Sequence, residues 1–150
     1  MSDPITFADW LAITNVKARY CRLLDTKDWE GFAALFTEDF ELDVSASGGN
    51  TSVIVGRSEA LARIRMSIED AKTVHQIHSP EITLKGDTAH VIWAMYDRIS
   101  WSPERPSLSG YGHYHERYVR VRGEWKIASS RLTRLHIDIQ PGIKTNDTSL

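Results

Sequence analysis

The sequence predicts an α+β domain. Apolar residues return every three or four positions from the start of the chain, they alternate with period two from Thr73 onward, and helices come first with a run of long strands after. Thr6 and Asp9 form a capping-box pair ahead of a first helix, whose apolar stripe is Trp10, Ile13, Val16 or Lys17, Tyr20 and Leu24. Trp29, Phe32, Ala33 and Phe36 continue the period in a second, shorter helix with Asp28 as its N-cap, and the break between the two places Asp25 at a helix end. Short strands are predicted over 40–44 and 53–55. The Gly- and Ser-rich stretch 45–52 between them reads as a hairpin turn or a flexible lid. A third helix is predicted from Ser58, burying Leu61, Ile64 and Ile68 and leaving Arg57, Arg63 and Arg65 on other faces. Long strands follow over 75–84, 88–101, 111–122 and 125–138, broken at Lys85-Gly86-Asp87, 102–110 and Gly123-Glu124. No repeat or internal boundary interrupts residues 1–150, so a single domain is expected, with a loosely ordered tail from about Pro141.

Composition narrows the function. With 150 residues, 41% of them hydrophobic, the chain has enough core to need no staples. A net charge of −2 supplies no broad field for phosphate backbones, so nucleic acid is not an expected partner. Cys21 has no second cysteine to pair with and sits in helical text beside Tyr20, where a small buried hydrophobe is expected. No stretch approaches the ~18 continuous apolar residues of a membrane span, and the N-terminal text lacks a basic start and apolar run; a cytoplasmic protein without membrane contact is expected. Gly-rich phosphate loops, nucleophile elbows and cysteine-based zinc patterns are absent, so no organic cofactor is expected. The His113-x-His115 spacing suggests a metal site of the cupin kind, but Glu116 follows directly instead of three or four residues later and the N-terminal half is helical, so no metal is expected.

Several polar residues carry usable chemistry. A neutral imidazole accepts protons near neutral pH when a carboxylate on its second nitrogen sets the tautomer and stabilises the imidazolium. Asp25 with His75 can form such a pair; Asp25 can equally cap the turn into the second helix, and Tyr20 can be a half-buried core aromatic. His78 is three residues from His75 and of opposite strand parity, so only one of them faces a pocket in a regular strand. His113, His115 and Arg117 share one face of their strand; Tyr114, Glu116 and Tyr118 share the other. His115 and Arg117 are candidates to bind a substrate carbonyl, carboxylate or departing anion, with an outer face or subunit interface as the alternative. Trp93 and Tyr96, of opposite parity, divide between pocket wall and outer packing. Trp125 should pack in the core after a hairpin turn.

The segments Ile13–Asp39, Gly56-Arg-Ser-Glu59, Thr73-Val-His75-Gln-Ile-His78, Gly86-Asp-Thr-Ala89 and Arg122-Gly-Glu-Trp-Lys-Ile127 together resemble SnoaL-like proteins of the NTF2-like superfamily, in that family's order, across residues 6 to 137. The resemblance implies a curved antiparallel sheet wrapped around the N-terminal helices as a cone, with a pocket inside. In the dehydratase and dehydrochlorinase branch it further implies an acid/base dyad at Asp25 and His75, with Tyr20 as the phenol that assists the leaving hydroxyl or binds a substrate oxygen. The activity so implied is a cofactor-independent lyase or isomerase acting on a small hydrophobic cyclic molecule of steroid, polyketide or terpenoid type, with dehydration preferred. Alternatives are a binding protein for a hydrophobic ligand, or the small structural subunit of a ring-hydroxylating oxygenase. A homo-oligomer, dimer or trimer, is also implied, with Tyr114 and Tyr118 as aromatics on the expected outer surface.

Overall fold

The computed structural model describes residues 1–47 and 52–144. Helix α1 spans Phe7–Asp25 and is capped by Thr6, whose hydroxyl oxygen accepts from the Asp9 N–H at 3.1 Å while its own proton goes to the Asp9 carboxylate at 2.8 Å. Its buried face includes Ile13, Val16, Tyr20 and Leu24, and also the whole of Lys17. Helix α2 is short, Trp29–Ala33, and Asp28 caps it by accepting from the Gly31 N–H at 2.9 Å. Phe36 does not continue that helix as its spacing suggested. The Ile127 N–H donates to the Leu35 carbonyl at 2.9 Å and draws the chain into the sheet, so Phe36 opens strand β1, Phe36–Asp43.

A single 3-10 turn at Ser45–Ser47 follows, then strand β2 (Ile54–Val55) and helix α3 (Arg57–Ile68). The remainder of the stretch expected to be a turn or lid, residues 48–51, lies outside the described residues, as does the end of the tail, 145–150. Four long strands complete the sheet: β3 (Lys72–Lys85), β4 (Thr88–Ser100), β5 (Ser107–Val121) and β6 (Glu124–Gln140).

The six strands lie in the order β2-β1-β6-β5-β4-β3. All pairs are antiparallel except β1 with β6, which run parallel. That pair joins distant parts of the chain, so no hairpin dictates its direction. Bulges bend the sheet. Ser79 and Pro80 oppose one residue of β4, a tolerable place for a proline that cannot donate, and Ala128 and Leu135 are the extra residues of β6. The curved sheet wraps the helices as an open cone, an α+β architecture as expected.

Strand parity decides what lies inside. Val91, Trp93, Met95, Asp97 and Ile99 of β4 and Tyr114, Glu116 and Tyr118 of β5 face the helices and are buried. Tyr114 and Tyr118 therefore are not outer-surface aromatics. They belong to the core, because β5 turns its tyrosines toward α1 and its histidines outward. Cys21 is buried as expected, and its thiol is pushed up to about 11 by burial, with Lys17 pulling the other way. Trp125 is also buried and donates from its indole to Asp9 at 3.1 Å.

Candidate functional site

Asp25 is the last residue of α1, where a carboxylate opposes the helix dipole and gains nothing as a cap. Asp28 does the capping. Lys27 adopts a left-handed backbone, φ 60°, that ends the helix, and the Asp25 carboxylate reaches across to β3. There it accepts from His75 Nδ1 at 2.7 Å, from the His75 backbone N–H at 2.8 Å and from the Thr73 hydroxyl at 2.9 Å. Lys27 in turn donates to Thr73 Oγ1 at 2.8 Å, which directs the threonine proton toward Asp25. Burial by itself raises the Asp25 carboxyl, but the hydrogen bonds from the His75 ring and backbone and from the Thr73 hydroxyl outweigh it and hold Asp25 below its usual value. An ionised carboxylate only accepts, so Nδ1 carries the imidazole proton and Nε2 keeps its lone pair. Nε2 makes no hydrogen bond to any described residue.

His75 lines a cavity of about 270 Å³ between the sheet and the helices. Tyr20 and Leu24 of α1 close one side, and Ile64, Ser67 and Ile68 of α3 another. Asp97, Ile99, Tyr114, Ser130, Leu132 and Arg134 form the sheet wall. His78 is exposed on the opposite face, and the bulge in β3 falls after it, so the parity that turns His75 inward is undisturbed.

Tyr20 is buried, and burial followed by the nearby Glu116 carboxylate pushes its phenol far above the usual range. The same causes, with Tyr20 and Asp97, keep Tyr114 neutral. Beneath these two rings lies an ion pair. Lys17 Nζ is 2.6 Å from Glu116, with both side chains fully buried, and stands 3.6 and 3.7 Å from the ring centroids of Tyr20 and Tyr114. Glu116 also accepts from Tyr118 at 2.7 Å and from Ser130 at 3.0 Å.

Asp97, paired in register with His75, is held by both terminal nitrogens of Arg134 at 2.8 and 2.7 Å. Gly110 makes room for this pair, since a Cβ there would strike the guanidinium and the carboxylate. Asp97, Arg134 and Tyr114 are cavity residues that the sequence reading missed. An acid at the inward parity of Trp93 and Met95 was the available signal.

Three expected substrate contacts stand elsewhere. His115 and Arg117 are on the outer face, beside a shallow depression with His90 and Arg131, because Tyr114, Glu116 and Tyr118 take the inward parity. The His115 imidazole is lowered by burial and then by Arg131 and His113. Trp93 faces inward but is packed in the core and does not line the cavity. Arg63, expected on another face of its helix, does line it. Among the described residues, no group of three His, Cys, Asp or Glu is placed to hold a metal ion, and no helix is long and apolar enough to cross a membrane.

Residues 6–131 match the family described as SnoaL-like domain. The chain belongs to that family. This SnoaL-like chain is similar to the Gibberella zeae protein named "Probable cyclase FGR4", with 24% identity over 134 residues covering 83% of this chain and 89% of the relative. Its fold is similar to that of a candidate scytalone dehydratase from Novosphingobium aromaticivorans, with a TM-score of 0.78, 23% identity and 95% of each chain covered. It is likewise similar to that of the hexachlorocyclohexane dehydrochlorinase LinA-type3 from Novosphingobium barchaimii, with a TM-score of 0.77, 16% identity, and 92% of this chain and 94% of the other covered. These neighbours share the NTF2-like cone.

Proposed function

We propose that this SnoaL-like protein is a cofactor-independent lyase or isomerase that removes a proton from carbon next to a carbonyl. The reading is carried by the 2.7 Å bond from Asp25 to His75 Nδ1, which leaves Nε2 as a base at the wall of an otherwise largely apolar cavity. Such general-base catalysis is typically worth about 10²–10⁴ in rate. Asp25 orients the ring and stabilises the imidazolium. Tyr20, kept neutral by burial, donates a hydrogen bond to the substrate oxygen without surrendering its proton, and Tyr114 stands beside it. In a dehydration, the proton taken from carbon onto Nε2 passes to the departing hydroxyl, water leaves, and His75 returns to neutral. Arg134 neutralises Asp97, so that no unpaired carboxylate stands opposite the imidazole. The names of the similar proteins, a cyclase, a scytalone dehydratase and a dehydrochlorinase, support proton abstraction as the common step.

A cavity near the lower end of the ~300–1,000 Å³ of small-molecule sites suits one or two fused rings better than a four-ring skeleton. Asp25 forms no ion pair with Arg19, Arg22 or Lys27 among the described residues, which removes the feature that would favour a non-catalytic binding module. Assembly as a dimer or trimer remains part of the proposal, through an outer face that carries Val74, Tyr96 and Tyr111; size-exclusion chromatography with light scattering checks it.

The test is hydrogen–deuterium exchange at C2 of 1-tetralone in D₂O, followed by NMR, alongside a panel of two-ring β-hydroxyketones followed by enone absorbance. Wild type should accelerate exchange. His75→Ala should return it to background with little loss of folding, and Asp25→Asn should lower it by a smaller factor while keeping ligand binding. Equal rates in all three proteins would rule out the dyad.

A further inference from the structure

The charges that line the cavity do not sum to neutrality in pairs. Asp97 is matched by Arg134, and Asp25 is bonded to His75. Arg63 of α3 also lines the cavity, is only partly exposed, and forms no side-chain hydrogen bond or ion pair with any described residue. Its neighbours on the helix do not serve it. Arg65 is tied to Glu69, and the Glu59 carboxylate, one turn before Arg63, lies back against Gly56 at the helix start. Leu42, Val44 and Ser47, which line the same cavity, offer it no carboxylate either. A guanidinium on the wall of a mostly apolar cavity, with no carboxylate paired to it among the described residues, is a receptor for an anion brought by the ligand.

We infer that the substrate is amphipathic, with an apolar ring system that reaches His75 and an anionic group, carboxylate-like in size and charge, that is received by Arg63. This rests on the reading of the cavity as a substrate site. The apolar wall of Ile64, Ile68, Ile99 and Leu132 takes the ring system between the two polar ends. Arg63 then fixes which end of the molecule meets the base, because a ligand that entered reversed would carry its charge to Asp97 and Asp25 and leave Arg63 unmatched. The anionic group also gives this substrate class a tighter hold than plain hydrocarbons and neutral ketones, which the same walls accept more weakly.

The test uses 2-naphthoate and its neutral isostere 2-naphthamide, titrated by calorimetry at low salt. Wild type should bind the carboxylate about tenfold more tightly than the amide. Arg63→Gln should erase that preference with amide affinity unchanged, Arg63→Lys should retain part of it, and Arg65→Gln, which removes a charge from the same helix outside the cavity, should leave it intact. Circular dichroism and urea midpoints establish that each variant is folded. A carboxylate preference that survives Arg63→Gln, or equal binding of both probes by wild type, overturns the inference and leaves the cavity reading standing. Failure of both probes to bind wild type overturns the cavity reading and this inference with it.

Discussion

Replacing Lys17 by Met should be among the most damaging single changes away from the dyad. The ammonium and the Glu116 carboxylate are 2.6 Å apart and both fully buried. At an effective dielectric constant of 20, unit charges at that distance attract by about 6 kcal/mol, against which the desolvation of both ions must be set. Lys17→Met removes the attraction and keeps the penalty of the carboxylate, which is then left with Ser130 and Tyr118 as donors. Breaking a buried pair in this way costs about 3–5 kcal/mol, a large share of the ~5–15 kcal/mol that holds a typical domain together. The methionine still fills the space between the Tyr20 and Tyr114 rings, so the loss is electrostatic rather than a cavity. With a urea slope of about 2 kcal/mol per molar, the midpoint should fall by roughly 1.5–2.5 M. Adding Glu116→Gln removes the orphaned charge and should recover at least about 2 kcal/mol, a coupling that a double-mutant cycle reads directly. A single variant within about 1 kcal/mol of wild type, or a cycle that is simply additive, would refute the reasoning.

Two further expectations concern the wall and the dyad. Gly110→Ala should cost about 1–3 kcal/mol, because its Cβ must split the Asp97–Arg134 pair, and Gly112→Ala should cost more, because it meets the Thr133 backbone carbonyl, which cannot rotate away; urea midpoints equal to wild type would show that the strands absorb the methyl group. Asp25 titrates below its usual value of 3.8 in the folded protein, so its bonds add stability that is complete above that value and is lost as the pH falls through the folded value. The stability gap between wild type and Asp25→Asn should therefore narrow below about pH 4, and a gap that stays constant from about pH 6 to 2.5 would mean that Asp25 is not held by those bonds.

What could be read in advance was what depends on neighbours in the chain. The helix starts at Thr6 and Asp28, the turns at Gly86 and Gly123, and the change from period 3.6 to period 2 are local, and each appears where expected. Parity also separated His75 from His78 and sorted the residues of β5 into two faces. It did not say which face was inside. That choice depends on which side of the sheet α1 covers, and it moved His115 and Arg117 out of the pocket and Tyr114 into it.

The α+β class and the family are legible in the chain alone, because periodicity, caps and motif order are properties of short windows. That Asp25 meets His75 across 50 residues of chain, that Lys17 finds Glu116 in the core and that Arg63 lines the cavity all follow from long-range packing. A buried charge in an ion pair is stable only where a distant segment supplies its counterion. Whether that segment arrives is decided by how the curved sheet closes over the helices, which no local pattern encodes.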